Sequence, residues 1–382
     1  MEAFMTAESL VGHFSDLEDP RCLGKIEHHL IDIMVIAVCA VIAGAESWQD
    51  MELYGQDKSD WLSRFLGLPN GIPSHDTFRR VFMLIDPETF EQRFTAWAQD
   101  FSAAQGNQEV VAIDGKTVRR SFDRSRNQGP LHIVSAWSCD RRLVLGQRQV
   151  AEKSNEITAI PELLDTLDIK DTIVTLDAMG CQKTIVSKIL QKGADYLITL
   201  KANQGRMFKA VQEYCAETCF ERGATNRPAC DAFDESHGRL VRRRVFVCHQ
   251  ATQLEPLREW PGLQTVVAVE SIRSINGVAE TKCEIRYFLS SCSAPPEVLA
   301  KAVRQHWAIE NSLHWVLDVA FREDDCRIRD KVAVRNFALL RKIAINLVTR
   351  HQNTRISIKA RRKKAGWNNA YMLQILTGNF HA

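Results

Sequence analysis

The order of β-patterned and helix-patterned segments between residues 109 and 200 is the feature that most constrains the fold. Three β-rich segments come first, at residues 109–113, 131–137 and 143–151. Helix and strand patterns then alternate through residues 154–167, 171–176, 182–191 and 195–200. This order predicts an α/β domain in which helices pack on a mixed sheet.

The first hundred residues have a helical pattern instead. The most apolar run, residues 33–45, is too short to span a bilayer, and no basic segment precedes it as in a signal peptide. We therefore expect a buried helix, no membrane partner and a helical N-terminal domain over residues 1–101.

Composition excludes two other classes of protein. The chain is 45% apolar and has a net charge of only +2, which is incompatible with disorder throughout. The eleven cysteines include no Cys-x-x-Cys pair, which argues against a disulfide framework and against a structural zinc site. This usage of cysteine indicates a reducing compartment, the cytoplasm.

Residues 231–291 break the α/β rhythm with three strand-like runs, which indicate a β-rich insertion. Two long helices follow, from residue 296 to about 321 and from residue 332 to about 350. These elements predict a second domain over residues 108–350 and a basic C-terminal tail over residues 351–382.

Charge is distributed unevenly along the chain. Residues 1–100 contain 17 acidic and 7 basic residues, a net charge of −10, whereas residues 326–382 contain 13 basic residues and one acidic residue, a net charge of +12. A basic end of this kind favours contact with a polyanion. The alternative is a cationic helix face followed by a solvated tail.

Two aspartates follow apolar strand patterns in similar settings. Asp114 ends the run VVAI, and Asp177 ends the run IVTL. Carboxylates at the ends of neighbouring strands can converge on a cleft at the sheet edge and hold a cation there. Each aspartate taken alone could instead be a turn or cap residue.

The third acidic candidate lies on the predicted helix around Glu310. His306, Glu310, His314 and Asp318 follow one another at a spacing of four residues, beside an apolar stripe. The His-x3-Glu-x3-His spacing does not match known zinc-protease patterns, so a Mg²⁺ site with carboxylate oxygen ligands fits better.

Basic and aromatic residues surround these acids. Arginines beside a metal-binding carboxylate cluster would suit a phosphodiester substrate, although each one alone could belong to a solvated face. Trp307 and Trp315 favour core packing over base stacking. The candidate contacts for a phosphodiester substrate are Lys116, Arg119, Arg120, Lys201, Arg361, Arg362, Lys363 and Lys364.

Several longer strings closely resemble the ISAs-type insertion-sequence transposases, which include the H-repeat-associated proteins of enteric bacteria. The resemblance covers most of the chain from about residue 10. The strings that carry it are DPRCLGKIEHHLIDIMVIAVCAVIAGAESWQDMELYG (19–55), NGIPSHDTFRRVF (70–82), IDGKTVRRSFDRSRNQGPLHIVSAWS (113–138), EKSNEITAIPELLDTLDIK (152–170), TLDAMGCQKTI (175–185), YLITLKANQG (196–205), SHGR (236–239) and HWAIENSLHWVLDVAFREDDCR (306–327).

The resemblance implies an RNase H-like catalytic domain of the DDE class, with Asp114, Asp177 and Glu310 as the catalytic and metal-binding residues. It further implies two Mg²⁺ ions, with Mn²⁺ as a substitute. The wider group often has a Y-x2-R-x3-E-x6-K pattern around its glutamate, and this chain departs from it, with His306 at the position of the arginine. His306 is therefore the candidate phosphate contact at that position. The resemblance makes DNA the substrate of all these basic candidates and adds Arg239, in the SHGR string, to the candidate DNA contacts.

The function that the resemblance implies is DNA transposition, with cleavage at the ends of an insertion sequence and strand transfer into target DNA. The expected partners are double-stranded DNA and further copies of the chain. Two alternatives remain open: a nuclease of the same fold that does not join DNA, and a catalytically silent DNA-binding protein derived from a transposase.

Overall fold

The structure is a computed structural model. It describes residues 10–100, 109–152, 154–221, 224–236, 239–275, 278–350 and 356–378.

A mixed β-sheet forms the centre of the molecule, and in the described residues it has nine strands in the order β3-β2-β1-β4-β5-β9-β8-β7-β6. The strands β1, β4 and β5 are parallel to one another, and every other pairing is antiparallel. The strands are β1 Val110–Val118, β2 Leu131–Ser138, β3 Leu143–Gln149, β4 Ile173–Leu176, β5 Asp195–Leu200, β6 Cys230–Ser236, β7 Arg239–Cys248, β8 Thr265–Ile275 and β9 Val278–Ser290. The predicted α/β class with an RNase H-like mixed sheet is confirmed.

Helices flank this sheet and also form the N-terminal region, as predicted. Two α-helices continue into π-helical turns, α9 through Ala216–Phe220 and α10 through Ile309–His314. The α-helices are α1 Leu10–Ser15, α2 Leu30–Ala43, α3 Trp48–Asp57, α4 Ser59–Leu62, α5 His75–Leu84, α6 Pro87–Asp100, α7 Glu156–Thr166, α8 Lys183–Gln191, α9 Gly205–Cys215, α10 Pro296–Ala308, α11 Trp315–Val319, α12 Lys331–Arg350, α13 Ile358–Trp367 and α14 Asn369–Thr377.

The two faces of the sheet have separate cores. Helices α7, α8 and α9 cover one face, while α6, α10 and α12 contact the other. The N-terminal helices belong to this second core, where Trp48 stacks on Phe82 and meets Phe337 of α12 at a centroid distance of 5.1 Å. The described N-terminal residues 10–100 therefore pack as part of the same core as the C-terminal helices.

Helix α2 accounts for the long apolar run, because it is buried along nearly its whole length. In the described residues, no single helix has the length and apolarity to cross a membrane. Helices α2 and α3 meet that test only as a pair, and the pair is bent by 96°.

The predicted β insertion has four strands rather than three. Strands β6 to β9 extend the central sheet, since β9 pairs with β5 at Leu200 and Tyr287. The additional strand β6 was missed because its sequence, CDAFDES, is polar and lacks the apolar pattern used to predict strands.

The prediction of a basic tail over residues 351–382 is wrong for the part that the structure describes. Residues 358–377 form α13 and α14, and Arg362 is buried, donating hydrogen bonds to the carbonyl oxygens of Val41 (2.7 Å) and Ile42 (3.2 Å). Arg335 and Arg341 of α12 are buried as well. Part of the C-terminal charge therefore lies inside the protein, while Lys363 and Lys364 remain exposed.

Candidate active site

Asp114 and Asp177 lie beside each other at matched positions of two parallel strands. Ile113 of β1 pairs with Leu176 of β4, and each aspartate is the next residue of its chain. The register therefore brings the two carboxylates to one place at the sheet. Asp114 differs from expectation in one respect, because β1 does not end there and continues to Val118 along β2.

Asp177 also closes a turn. Its Oδ1 accepts hydrogen bonds from the backbone N–H groups of Met179 (2.8 Å) and Gly180 (3.3 Å). These bonds fix the carboxylate in orientation, while Oδ2 is left for other partners. Asp177 can therefore stabilise the turn and also contribute a carboxylate to the site.

Glu310 reaches the aspartates from the helix that crosses this face of the sheet. It lies in the π-helical turn after α10, and its side chain is 54% exposed. Nδ1 of His306, one helical turn earlier, lies 3.0 Å from Oγ1 of Thr175 on β4, which attaches α10 to the strand that leads to Asp177. Such π-helical turns occur frequently at functional sites.

His314 completes a compact group with two of the acids. Its Nδ1 lies 3.6 Å from Oδ2 of Asp114 and 3.6 Å from Oε2 of Glu310. One ligand atom from each of these three residues lies within 4.8 Å of the others, and Asp177 is outside this group. His314 is buried, and its Nε2 has no hydrogen-bond partner among the described residues.

The electrostatics of the acids favour a cation. Burial and the adjacent Glu310 raise the pKa of Asp114, whereas the hydrogen bond with His314 lowers the pKa of Glu310. The two carboxyl groups thus share a proton when nothing else neutralises them. Hard oxygen donors under mutual repulsion are the donor set that a divalent cation such as Mg²⁺ requires, so the residues fit the implied metal.

A cavity of about 400 Å³ opens in front of the three acids. Lys201, which follows β5, and His306 line it together with Asp114, Asp177 and Glu310. Lys201 is exposed, so its ammonium group is accessible to a substrate. Burial lowers the pKa of His306, so this residue offers a neutral imidazole rather than a positive charge.

The prediction that Lys116 contacts DNA is wrong for this structure. Its Nζ lies 2.7 Å from Asp318, 2.9 Å from Asp324 and 3.4 Å from Glu323, and the side chain is only 11% exposed. Lys116 lies two residues after Asp114 in β1, so both side chains point to the same face of the sheet. There the acidic segment after α11 encloses the lysine.

The other predicted DNA contacts differ in accessibility. Arg119 and Arg120 remain exposed, although each pairs with a carboxylate of residues 323–325. Arg361 is half-buried and donates to the carbonyl oxygen of Val348. Arg239 begins β7, and its side chain lies outside the described part of the structure.

Sequence reasoning missed an arginine-lined groove beside the cavity. Trp307 was expected in the core, yet it is 47% exposed and Arg286 stacks over its ring at 4.7 Å. Arg243, Arg273 and Arg304 line the same groove. The alternation of side chains along β7 and β8 could have indicated that these arginines lie on one face of the sheet. The sequence could not show that β9 and α10 lie beside that face.

The strand order and the acidic centre together define an RNase H-like α/β protein with a carboxylate site. The family model for the transposase DDE domain matches residues 105–347, and the DDE_Tnp_1-associated model matches residues 11–98. The chain therefore belongs to the DDE transposase family, and its resemblance to the H-repeat-associated branch is confirmed.

Two relatives and one solved structure were found to be similar to this chain. The H repeat-associated protein YhhI of Escherichia coli K12 is 42% identical over 383 residues, covering 98% of this chain and 99% of YhhI. The inactive transposase YbfQ of the same strain is 43% identical over 77 residues, or 20% of this chain and 92% of YbfQ. A piggyBac transposase synaptic complex with hairpin DNA aligns with a TM-score of 0.42 and 12% identity, over 100% of this chain and 81% of that one.

Proposed function

We propose that this protein is an active DNA transposase that cleaves DNA at the ends of an insertion sequence and joins the liberated 3′ ends to target DNA. The observation that carries the proposal is the matched register of Asp114 and Asp177, with Glu310 held against Asp114 from the π-helical turn after α10. Three carboxylates that converge from separate elements repel one another and destabilise the fold. A cluster of this kind therefore indicates a functional site.

Asp114, Asp177 and Glu310 would hold two divalent cations, Mg²⁺ or Mn²⁺, which would activate the attacking oxygen and stabilise the leaving oxygen. Asp114 neighbours Asp177 through the strand register and Glu310 through the group that includes His314, so it is the residue that would contact both ions. The backbone N–H groups of Met179 and Gly180 orient Asp177 for this role. His314 orients Glu310 and Asp114 from the buried side of the site.

No side chain of the protein needs to act as a nucleophile in this scheme. Water attacks the phosphodiester in the cleavage step, and the 3′-hydroxyl of the cut strand attacks target DNA in the joining step. Lys201 would bind a substrate phosphate by charge, and His306 by a hydrogen bond from its neutral ring. Because transposition joins two DNA ends, the protein would act as a homo-oligomer on DNA.

Two other functions make different predictions about one experiment. A nuclease of the same fold would cut an end-containing duplex in Mg²⁺ but would not join a pre-cut end to a plasmid. A catalytically silent DNA-binding protein would bind the duplex but would catalyse neither cleavage nor joining. The proposal requires both reactions from the wild-type chain.

The experiment uses two labelled substrates in Mg²⁺, both carrying the element's own terminal repeats. A duplex with an uncut end reports cleavage, and pre-cut end DNA mixed with a supercoiled target plasmid reports joining. Joined product on gels supports the proposal. Cleavage without joining would replace it by the nuclease, and specific binding without either reaction would replace it by the silent protein, as the name of YbfQ illustrates for a relative.

The exposed lysines of α13 provide a test of backbone binding. We expect Lys363→Ala combined with Lys364→Ala to weaken binding to end DNA and to random DNA alike. Each phosphate contact that is lost should reduce the slope of log affinity against log salt by about 0.9, so the pair should reduce it by roughly 1–2. Fluorescence anisotropy across a salt series measures both quantities.

A matched control for this test is Lys183→Ala combined with Lys209→Ala, two exposed lysines of α8 and α9 on the other side of the sheet. The control should leave the slope unchanged. An unchanged slope for the α13 variant would exclude these lysines as phosphate contacts. A loss of affinity for end DNA alone would mean that the lysines recognise the DNA sequence.

A further inference from the structure

Three buried cysteine thiols meet on the side of the sheet away from Glu310. Cys215 ends α9, Cys219 lies in the π-helical turn that follows, and Cys248 ends β7. Their sulfur atoms all lie within 4.8 Å of one another, and those of Cys219 and Cys248 are 3.6 Å apart. The side chains are between 0% and 7% exposed.

The distances suit a metal ion better than a disulfide. A disulfide requires sulfur atoms about 2.05 Å apart, which would leave the third thiol without a partner. Tetrahedral zinc has Zn–S bonds of about 2.3 Å, which places two ligand sulfurs about 3.8 Å from each other. The separation between Cys219 and Cys248 is close to that value, and Cys215 needs a shift of only about 1 Å.

Asn226 supplies a polar group at the open side of the cluster. Its side-chain nitrogen lies 3.4 Å from the sulfur of Cys248 and 3.6 Å from that of Cys219, and it donates to the carbonyl oxygen of Val247 (3.2 Å). The backbone N–H of Asn226 donates to the carbonyl oxygen of Thr218 (2.8 Å), which folds this segment over the thiols. A rotation of the carboxamide by 180° would direct its oxygen at the sulfurs.

We propose that Cys215, Cys219 and Cys248 bind one zinc ion, with the side-chain oxygen of Asn226 as the fourth ligand. Soft thiolates select thiophilic ions, and a divalent ion offsets most of the charge of three buried thiolates, which a monovalent ion cannot do. Binding replaces three S–H protons, so it releases protons to solvent. Asn226 is half-buried and gives the ion a path of entry.

This site would be structural and separate from the carboxylates. It would tie the end of α9 to β7, and hence to the four strands that extend the sheet. The absence of a Cys-x-x-Cys pair argued against zinc, but that spacing concerns only neighbours in sequence. Here two ligands come from a Cys-x3-Cys pair on one helix face, and the third follows 29 residues later on a strand.

The test titrates metal-free, reduced full-length protein with Cd²⁺, since thiolate ligands give a sulfur-to-metal absorption in the ultraviolet and carboxylates do not. We expect one Cd²⁺ per chain, displaced by Zn²⁺, and protection of three thiols from alkylation. Cys219→Ser and Cys248→Ser should abolish the absorption. Cys283→Ser, which removes an exposed thiol of β9, should leave it unchanged.

Two further measurements keep the test independent of folding and of the active site. Asn226→Asp should retain binding and Asn226→Leu should weaken it at least tenfold, since neither variant removes a thiol. The double variant Asp114→Asn/Glu310→Gln should retain the absorption. The proposal is overturned if wild-type protein gives no absorption, if mass spectrometry finds a disulfide between Cys219 and Cys248, or if the carboxylate variant loses the signal.

Discussion

The variants Asp114→Asn, Asp177→Asn and Glu310→Gln should each lower the rate of DNA cleavage in Mg²⁺ by about 10³-fold or more. Each change removes one negative charge with almost no change in volume, so the site loses affinity for the cation while the surrounding packing persists. Single-turnover cleavage of end DNA measures the rate, and anisotropy measures binding, which we expect to be largely retained.

Glu213→Gln is a suitable control for these variants, because it makes the same kind of substitution at a 65% exposed carboxylate of α9. It should cleave at the wild-type rate. Near-normal cleavage by one of the three site variants would mean that the residue concerned is not a metal ligand. Thermal unfolding of each variant distinguishes loss of chemistry from loss of structure.

The second large effect is expected for stability, from Glu91→Gln. Glu91 of α6 is buried and accepts two hydrogen bonds from Arg335 of α12, at 2.8 and 2.6 Å, and a third from Gln147 of β3. Removing its charge leaves the buried guanidinium of Arg335 with the exposed carboxylate of Glu88, 3.9 Å away, as its only charged partner among the described residues. We expect the free energy of unfolding to fall by about 3–5 kcal/mol, measured by denaturant titration.

The exposed pair of Lys209 and Glu213 again provides the comparison, because Glu213→Gln should cost less than about 1 kcal/mol. Replacing both partners of the buried pair with apolar residues, as in Glu91→Leu/Arg335→Met, should recover part of the lost stability. A cost below about 1 kcal/mol for Glu91→Gln would show that the N-terminal helices are not held to α12 through this pair.

The acidic site could be predicted because its signals are local. Asp114 and Asp177 each follow an apolar strand pattern, and Glu310 belongs to a regular polar stripe beside an apolar one. Two carboxylates after buried strands of one sheet were expected to face the same cleft, and the register of β1 with β4 places them side by side although β1 continues past Asp114. The resemblance to a transposase family then assigned the same three residues.

The roles of the basic residues could not be predicted, because they depend on contacts between distant segments. Lys116 is enclosed by acids about 200 residues later, and Arg362 donates to carbonyl groups about 320 residues earlier. A cluster of basic residues looks the same in the sequence whether its side chains face solvent or buried carbonyl groups, so the sequence does not distinguish the two cases. The thiol cluster escaped prediction for the same reason.

The contact between Arg362 and α2 also affects how the nascent chain can fold. Helix α2 leaves the ribosome well before the helices that cover it, α12 and α13, which are made about 300 residues later. At synthesis rates of up to about 20 residues per second, its apolar surface waits at least about 15 s for these partners. Release of incomplete chains during that interval would leave this surface uncovered and prone to aggregate. Burial of α2 therefore depends on translation that continues through α13.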